Sequence, residues 1–563
     1  MIYHCEDHTC NYWDEGEKLP ERCPQCGRKL LRANEADMTG DDWTALGNTL
    51  WDAEASDKKR MVDCFRKAAY LGSAWGVCNL GICMEQGNGV EADPVQAFWL
   101  YQQAVEMGSL NAVCCLGVCY QYGIGTAPDA KQAAELYCKA AEYGSPRGQM
   151  LLARAFHDGI GVEADAAEAV YWVRAAAYQR YGEGMHRLGV CYEYGDGVEQ
   201  NWERAVHWFR EAAESGVGVA MTDLGYCYEK GCGVEQSWEQ AFSWYRRGAE
   251  CGDPVSMCNL GYCYEKGCGV EQNWQEAIKW YEQGAQCGDL QSMHNLACCY
   301  EGGEGVEQNE DRALYWYRRG AEAGSDYCMY CLGWNYSNGE GVEQNMTEAI
   351  RWYTAAAEGG NADAMHNLGW LYDHGEGVEQ DMKKAICWYE RAAEQNHPAA
   401  MNSLGECYAM GRGVPRDLET AMEWYRRAAE LGEAMADYNM GWHLEQAGKL
   451  SEAYTHYRKA ADGNDDSAWW ALGRFYENGV VVAQDGKEAR RCYETGEKLG
   501  SVKCKMRLAR CKLLGIGGRR AKKAGLDLCR QALELAKESS EKEDYGYEAE
   551  MNLLRRTIAE NES

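Results

Sequence analysis

The sequence predicts an all-α fold, an α/α superhelical solenoid of about fourteen stacked helix pairs, and three observations predict it. A glycine returns every 36 residues, at Gly89, Gly125, Gly161, Gly197, Gly233, Gly269, Gly305, Gly341, Gly377 and Gly413. In phase with it runs a set of good helix N-cap residues: Asp93, Asp129, Asp165, Asn201, Ser237, Asn273, Asn309, Asn345, Asp381 and Asp417. A Leu-Gly step heads each unit, followed from Leu46 to Leu508 in fourteen copies, with Met440 in place of one leucine. Such a period marks supersecondary units that bury their apolar faces only by stacking.

The stretch 257–288 shows how one unit works. Met257, Leu260, Gly261 and Tyr264 fall at helical spacing and line one face of a first helix. Gly267 and Gly269 permit positive φ and end it. Asn273 is placed to cap the second helix, with Glu276 three residues on completing a capping-box pattern. Ala277, Trp280, Tyr281, Gly284 and Ala285 form the stripe of that second helix, Gly288 closes it, and Asp289 is placed to cap the next unit. The repeat solenoid is expected over 36–525. After Gly525 the period is lost, and Leu526 to Glu560 reads as one or two charged helices, a C-terminal cap over 526–563.

The run Leu-Gly-Tyr-Cys-Tyr-Glu-Lys-Gly-Cys-Gly-Val, Leu260 to Val270, with Ala-Ile-Lys-Trp-Tyr at Ala277 to Tyr281, resembles the Sel-one-like repeat family, a cousin of the tetratricopeptide repeat. The resemblance covers roughly residues 40 to 525. It implies a right-handed superhelix and a non-enzymatic role as adaptor or scaffold for other proteins.

Acidic residues outnumber basic ones, 88 to 57, for a formal charge of −31. That field repels a phosphate backbone and favours cationic partners. No run of 18 apolar residues is long enough for a membrane span, and Met-Ile-Tyr-His-Cys does not open a signal peptide. The expected location is the cytoplasm, where most of the 29 cysteines should be thiols or metal ligands.

Cys5, Cys10, Cys23 and Cys26, within 1–35, give Cys-x4-Cys, a twelve-residue gap and Cys-Pro-Gln-Cys-Gly. Four thiolates at such spacing suit tetrahedral zinc in a closed, structural site. Leu19 to Gly27 resembles the second knuckle of zinc ribbons and rubredoxin-like modules. The first knuckle departs from Cys-x2-Cys, His4 or His8 can replace Cys5 or Cys10, and iron is the alternative metal.

Eight other cysteines share one register, three residues after the key leucine: Cys83, Cys119, Cys191, Cys227, Cys263, Cys299, Cys407 and Cys511. Equivalent points on stacked helices lie roughly 10 Å apart, too far for a disulfide, so these read as small core hydrophobes. The competing reading is a thiol- or β-lactam-active enzyme, because some secreted cysteine-rich relatives bridge the helices of each repeat. Cys251 and Cys258 approach such a pair, but Cys287 faces His294 at the matching place.

By analogy with tetratricopeptide repeats, first helices line the concave face. Two residues before the key leucine stand His186, His294, Tyr330, His366 and Tyr438; two after it stand Tyr226, Tyr262, Trp334, Trp370 and Trp442. Five after it come Glu193, Glu229, Glu265, Glu301, Asp373, Glu445 and Glu477. An aromatic stripe beside an acidic ladder suits a protein or peptide partner of cationic character. The segment 503–523 reverses sign with nine basic residues, and a third reading joins it to the zinc ribbon as contacts for acidic partners, nucleic acid or a second copy of the chain. The Gly-x-Gly-Val steps follow helices and lack the Gly-Lys-Ser/Thr ending, so they are turns and not phosphate loops.

Overall fold

In a computed structural model, residues 2–5, 13–15, 30–33, 38–51, 55–542 and 548–562 are described. Cys10, Cys23, Cys26 and His8 lie outside them, as do the side chains of His4 and Cys5. The N-terminal segment contributes three short strands, β1 (Ile2–Cys5), β2 (Trp13–Glu15) and β3 (Leu30–Ala33), antiparallel in the order β2-β1-β3. Tyr3 stands opposite Asp14 on one side and Arg32 on the other.

The rest is the expected all-α solenoid of repeated helix pairs, in two compact units, 1–292 and 293–563. A pair from the first unit, α13 (Pro254–Lys266) and α14 (Trp274–Gln286), shows why the period is so strict. Gly267 caps α13 at φ 73° and Gly269 follows at φ 70°. A Cβ on Gly269 would run into the Trp238 carbonyl at the start of α12 (Trp238–Glu250), so the turn doubles as the seat of the preceding repeat. Asn273 caps α14, accepting from the Gln275 and Glu276 amides at 3.1 and 3.2 Å. All ten in-phase cap residues, Asp93 to Asp417, cap their second helices in this way. Asp289 likewise accepts from the Ser292 amide at 2.7 Å.

The capping box at Asn273 is half formed. Its backbone N–H donates to the Tyr264 carbonyl at 2.8 Å, while Glu276 pairs with Lys279 at 3.4 Å. Turn and second helix are thereby tied to the first helix. Gln272 adds a bond from its side-chain amide to the Glu265 carbonyl at 2.7 Å, occupying an acceptor that a helix C-terminus leaves open.

Each pair closes around one aromatic ring. Tyr281 is fully buried and lies on the Leu-Gly step, where a Cβ on Gly261 would come within 2.6 Å of the ring. Tyr137 on Gly117, Tyr245 on Gly225 and Tyr425 on Gly405 repeat the contact at 2.5 Å. The glycine lets the ring fill the space between the helices. Burying such a ring removes on the order of 150–250 Å² from water, about 4–6 kcal/mol at about 25 cal/mol/Å². Three repeats depart. Ala153 replaces the glycine where Val173 replaces the ring, and Ala509 where Cys529 does, compensating exchanges; Ala297 meets an intact Tyr317, and nothing in the structure explains it.

At the C-terminal end, α27 (Val502–Leu514), α28 (Lys522–Lys542) and α29 (Glu548–Glu562) complete the second unit. Gly525 does not interrupt α28: its missing Cβ would meet the Leu513 backbone at 2.6 Å, so it is a helix-packing residue. No described helix is long and apolar enough to cross a membrane.

Tyr281→Phe should cost about 1–2 kcal/mol by removing the hydroxyl that serves Glu265. Gly261→Val should cost more, about 2–3 kcal/mol, by overpacking the ring. Chemical denaturation of the full chain reads both, and equal effects would contradict this packing.

Candidate partner-binding face

The five aromatic residues of the first-helix stripe are all exposed. Tyr226 on α11 (Gly218–Lys230) and Tyr262 on α13 are 43% and 42% accessible in the first unit. In the second unit Trp334 on α17 (Asp326–Asn338), Trp370 on α19 (Ala362–His374) and Trp442 on α23 (Ala434–Gln446) are 45%, 40% and 38% accessible. Near-equal exposure follows from equal register. The rings are stiffened from within: Trp370 stacks on His374 at 4.4 Å between centroids. Lys230 stands 5.8 Å from the Tyr226 centroid, so at least one ring already faces a cation.

The acidic ladder is placed differently. Glu229, Glu265 and Glu301 accept from the buried hydroxyls of Tyr245, Tyr281 and Tyr317 at 2.8, 2.7 and 2.9 Å. Glu445 and Glu477 do the same for Tyr457 and Tyr493 at 2.8 Å. One face of each carboxylate is thus spent inside its own repeat. Glu229 and Glu265 also pair with the neighbouring Lys230 and Lys266 at 2.7 and 2.6 Å. Asp373 has a side chain only 4% accessible and holds Arg412 of the next repeat at 2.9 Å. Glu193 meets Phe209 where its fellows meet tyrosine, and burial pushes its carboxyl up.

Neighbouring first helices also meet along a diagonal that the periodicity did not reveal. The side chain two before one key leucine reaches that one before the next, 37 residues on. His186 meets Asp223 at 2.6 Å, His366 meets Ser403 at 3.4 Å, and Asn402 meets Asn439 at 3.0 Å.

A Sel1 repeat family model matches twelve segments between residues 76 and 501. The chain belongs to the Sel1 repeat family. Among solved structures it is similar to a protective antigen from uropathogenic Escherichia coli strains displaying an SLR fold: 30% identity over 85% of this chain and 97% of that one, TM-score 0.50. It is also similar to a Sel1 repeat protein from Oxalobacter formigenes, at 32% identity over 43% of this chain and 96% of that one, TM-score 0.40. No curated protein matches.

This Sel1 repeat protein varies its repeat where the ring is missing. Beside Ala153 and Val173 lies a cavity of about 530 Å³ in the first unit, with Arg147, Arg154, Arg187 and His157 on its wall. His157 is engaged there by Asp158 and Asp196 at 2.7 and 3.3 Å.

The basic segment is largely turned inward. Arg507 pairs with Glu550 at 2.7 Å and with Glu477, which also receives Arg510; Arg520 donates to Asn561 at 2.6 Å. Arg519, Arg520, Lys522 and Lys523 stay exposed.

The described cysteines are thiols, Cys251 and Cys258 included. The register thiols are buried, and burial pushes Cys83, Cys119, Cys227, Cys263 and Cys511 up to about 12.

His366 stacks on His397 at 5.1 Å, and burial first, then His397, lowers its pKa to about 4. The folded state therefore binds its proton less readily than the unfolded chain, whose histidines titrate near about 6.5. Its contribution to stability should be complete above pH 6.5 and fall as the pH drops towards 4. Melting temperatures at pH 7 and pH 5 should differ less for His366→Asn than for the parent; an equal difference would contradict this.

Proposed function

We propose that the protein is a non-enzymatic scaffold in which the first-helix face within each compact unit holds an extended, cationic segment of another protein. The observation that carries the proposal is the set of five rings, Tyr226, Tyr262, Trp334, Trp370 and Trp442, held open at one register beside partly accessible carboxylates. Lysine or arginine side chains of the partner stack on these rings, and the remaining carboxylate edges of Glu229, Glu265 and Glu301 supply charge complementarity. Glu193 and Asp373 take the outer and inner extremes of that role: Glu193 lacks a tyrosine opposite it, and Asp373 acts through Arg412. The −31 charge of the chain draws such a partner in.

A lysine- and arginine-bearing extended peptide set, measured by fluorescence anisotropy against charge-reversed controls, tests the reading on the full chain. Trp334→Ala/Trp370→Ala should weaken the best binder by at least about tenfold, one or more hot spots' worth of energy. Unchanged affinity, or equal binding of acidic controls, would contradict it.

The N-terminal module is proposed as a structural zinc site using Cys5, Cys10, Cys23 and Cys26, a reading that rests on the cysteine spacing. Purified chain should carry one zinc, and Cys23→Ser/Cys26→Ser should lose it while the helical circular dichroism is retained. Full metal content in that variant would refute the assignment.

A further inference from the structure

The diagonal contact between successive first helices brings together, in one place in the first unit, two thiols. Cys78 on α3 (Ala74–Gln86) and Cys115 on α5 (Leu110–Tyr122) occupy the positions that His186 and Asp223 fill farther along, 37 residues apart. Both are buried, and Asn111 and Arg147 link them through one chain of polar contacts. The surrounding contacts close a ring around them. The Asn111 side-chain amide donates to Cys78 Sγ at 3.7 Å. Arg147 on α7 (Pro146–Asp158) donates to Asn111 Oδ1 at 2.6 Å and to Cys115 Sγ at 3.6 Å.

We propose that Cys78 and Cys115 form an oxidisable dithiol whose substrate is a small hydroperoxide and whose product is a disulfide joining the first helices of two successive repeats.

The environment distinguishes this pair from the other buried thiols of the unit. Cys83 and Cys119 are driven up to about 12 by burial. Cys115 is held below the ordinary thiol range, first by the hydrogen bond from Cys78 and then by Arg147, against burial and the charge of Glu85. Cys78 moves up and keeps its proton. Glu85 is itself held by the Tyr101 hydroxyl at 2.5 Å, and the adjacent Cys114 turns to Ser145 at 3.9 Å. Arg147 is also part of the wall of the 530 Å³ cavity.

In the first step the Cys115 thiolate attacks the terminal peroxide oxygen; the S–O bond forms, the O–O bond breaks, and the leaving alkoxide, or hydroxide from hydrogen peroxide, takes up the proton that Cys115 released on ionising. In the second, Cys78 sulfur attacks the Cys115 sulfenic acid; the S–S bond forms, the S–O bond breaks, and the departing hydroxide takes up the Cys78 proton as water. Two thiols are oxidised by two electrons in all, the peroxide is reduced, and one water and one alcohol result, or two waters from hydrogen peroxide.

The test is peroxide titration of the reduced full chain, followed by alkylation, proteolysis and mass spectrometry of the monomer. The expected result is a Cys78–Cys115 cross-link as the first intramolecular bridge, one peroxide consumed per bridge, with Cys83, Cys114 and Cys119 still alkylated after denaturation. Cys78→Ser should give no bridge and a Cys115 sulfenic acid that dimedone captures. Arg147→Gln should bridge several-fold more slowly at neutral pH, with the half-maximal rate displaced to higher pH. Both thiols recovered alkylated after peroxide, or a first bridge between other residues, would overturn the proposal. A parent-like rate and pH profile in Arg147→Gln would overturn the assignment of Cys115 as the attacking thiolate.

Discussion

The contact of one buried tyrosine ring with one glycine governs this fold. In α13 and α14 the absence of a Cβ at Gly261 lets the Tyr281 ring sit flat between the helices. The same ring sends its hydroxyl out to Glu265, sixteen residues back, at 2.7 Å. One side chain thus sets the interhelical distance with its carbons and fixes the end of the first helix with its oxygen. A phenol in an apolar slot needs a partner for its O–H, and a half-buried carboxylate needs a donor. Tyr101, Tyr245, Tyr281, Tyr317, Tyr457 and Tyr493 each meet both needs with one bond to a glutamate.

That arrangement divides the first-helix surface by role. Positions five after the key leucine hold the repeat together, so much of their charge is directed inward. Positions two after it project from the same helices with no structural task of comparable weight, which leaves Tyr262, Trp334 and Trp370 as open rings. Where the ring is lost, at Val173 and at Cys529, the glycine is lost too, and beside Val173 lies a cavity in the first unit. At Ala153 and Val173 packing has thus been exchanged for space.

Much of this was legible in the sequence. Glycine at every 36th residue and the in-phase caps required turns and helix starts at fixed places, because few residues other than glycine adopt φ near 70° and few side chains cap. Gly267, Gly269 and Asn273 behave as read. The stripe Tyr226 to Trp442 was also legible, since exposure at one helical register is a periodic property. What one chain's periodicity did not show was which side chains touch. Glu265 and Tyr281 recur in phase in many of the repeats without announcing a bond; one hint was Phe209 opposite Glu193. Contacts between repeats, such as Arg412 with Asp373 or Arg507 with Glu550, depend on stacking geometry. Hence the sequence did not show that Arg507 and Arg520 of the basic segment bind the C-terminal helix. The Asn273 capping box failed for the same reason: the Tyr264 carbonyl, brought close by the turn, accepts the cap N–H first.

Two substitutions in one helix separate the proposed roles most directly. Glu265→Ala and Tyr262→Ala lie three residues apart on α13, and thermal unfolding of the full chain compares them without any partner. Glu265→Ala should lower the melting temperature by about 2 °C or more, the shift that about 1 kcal/mol produces in a domain of this size. Tyr262→Ala should leave it unchanged. A loss at Tyr262 equal to that at Glu265 would make the ring part of the core and contradict its assignment as an open docking position.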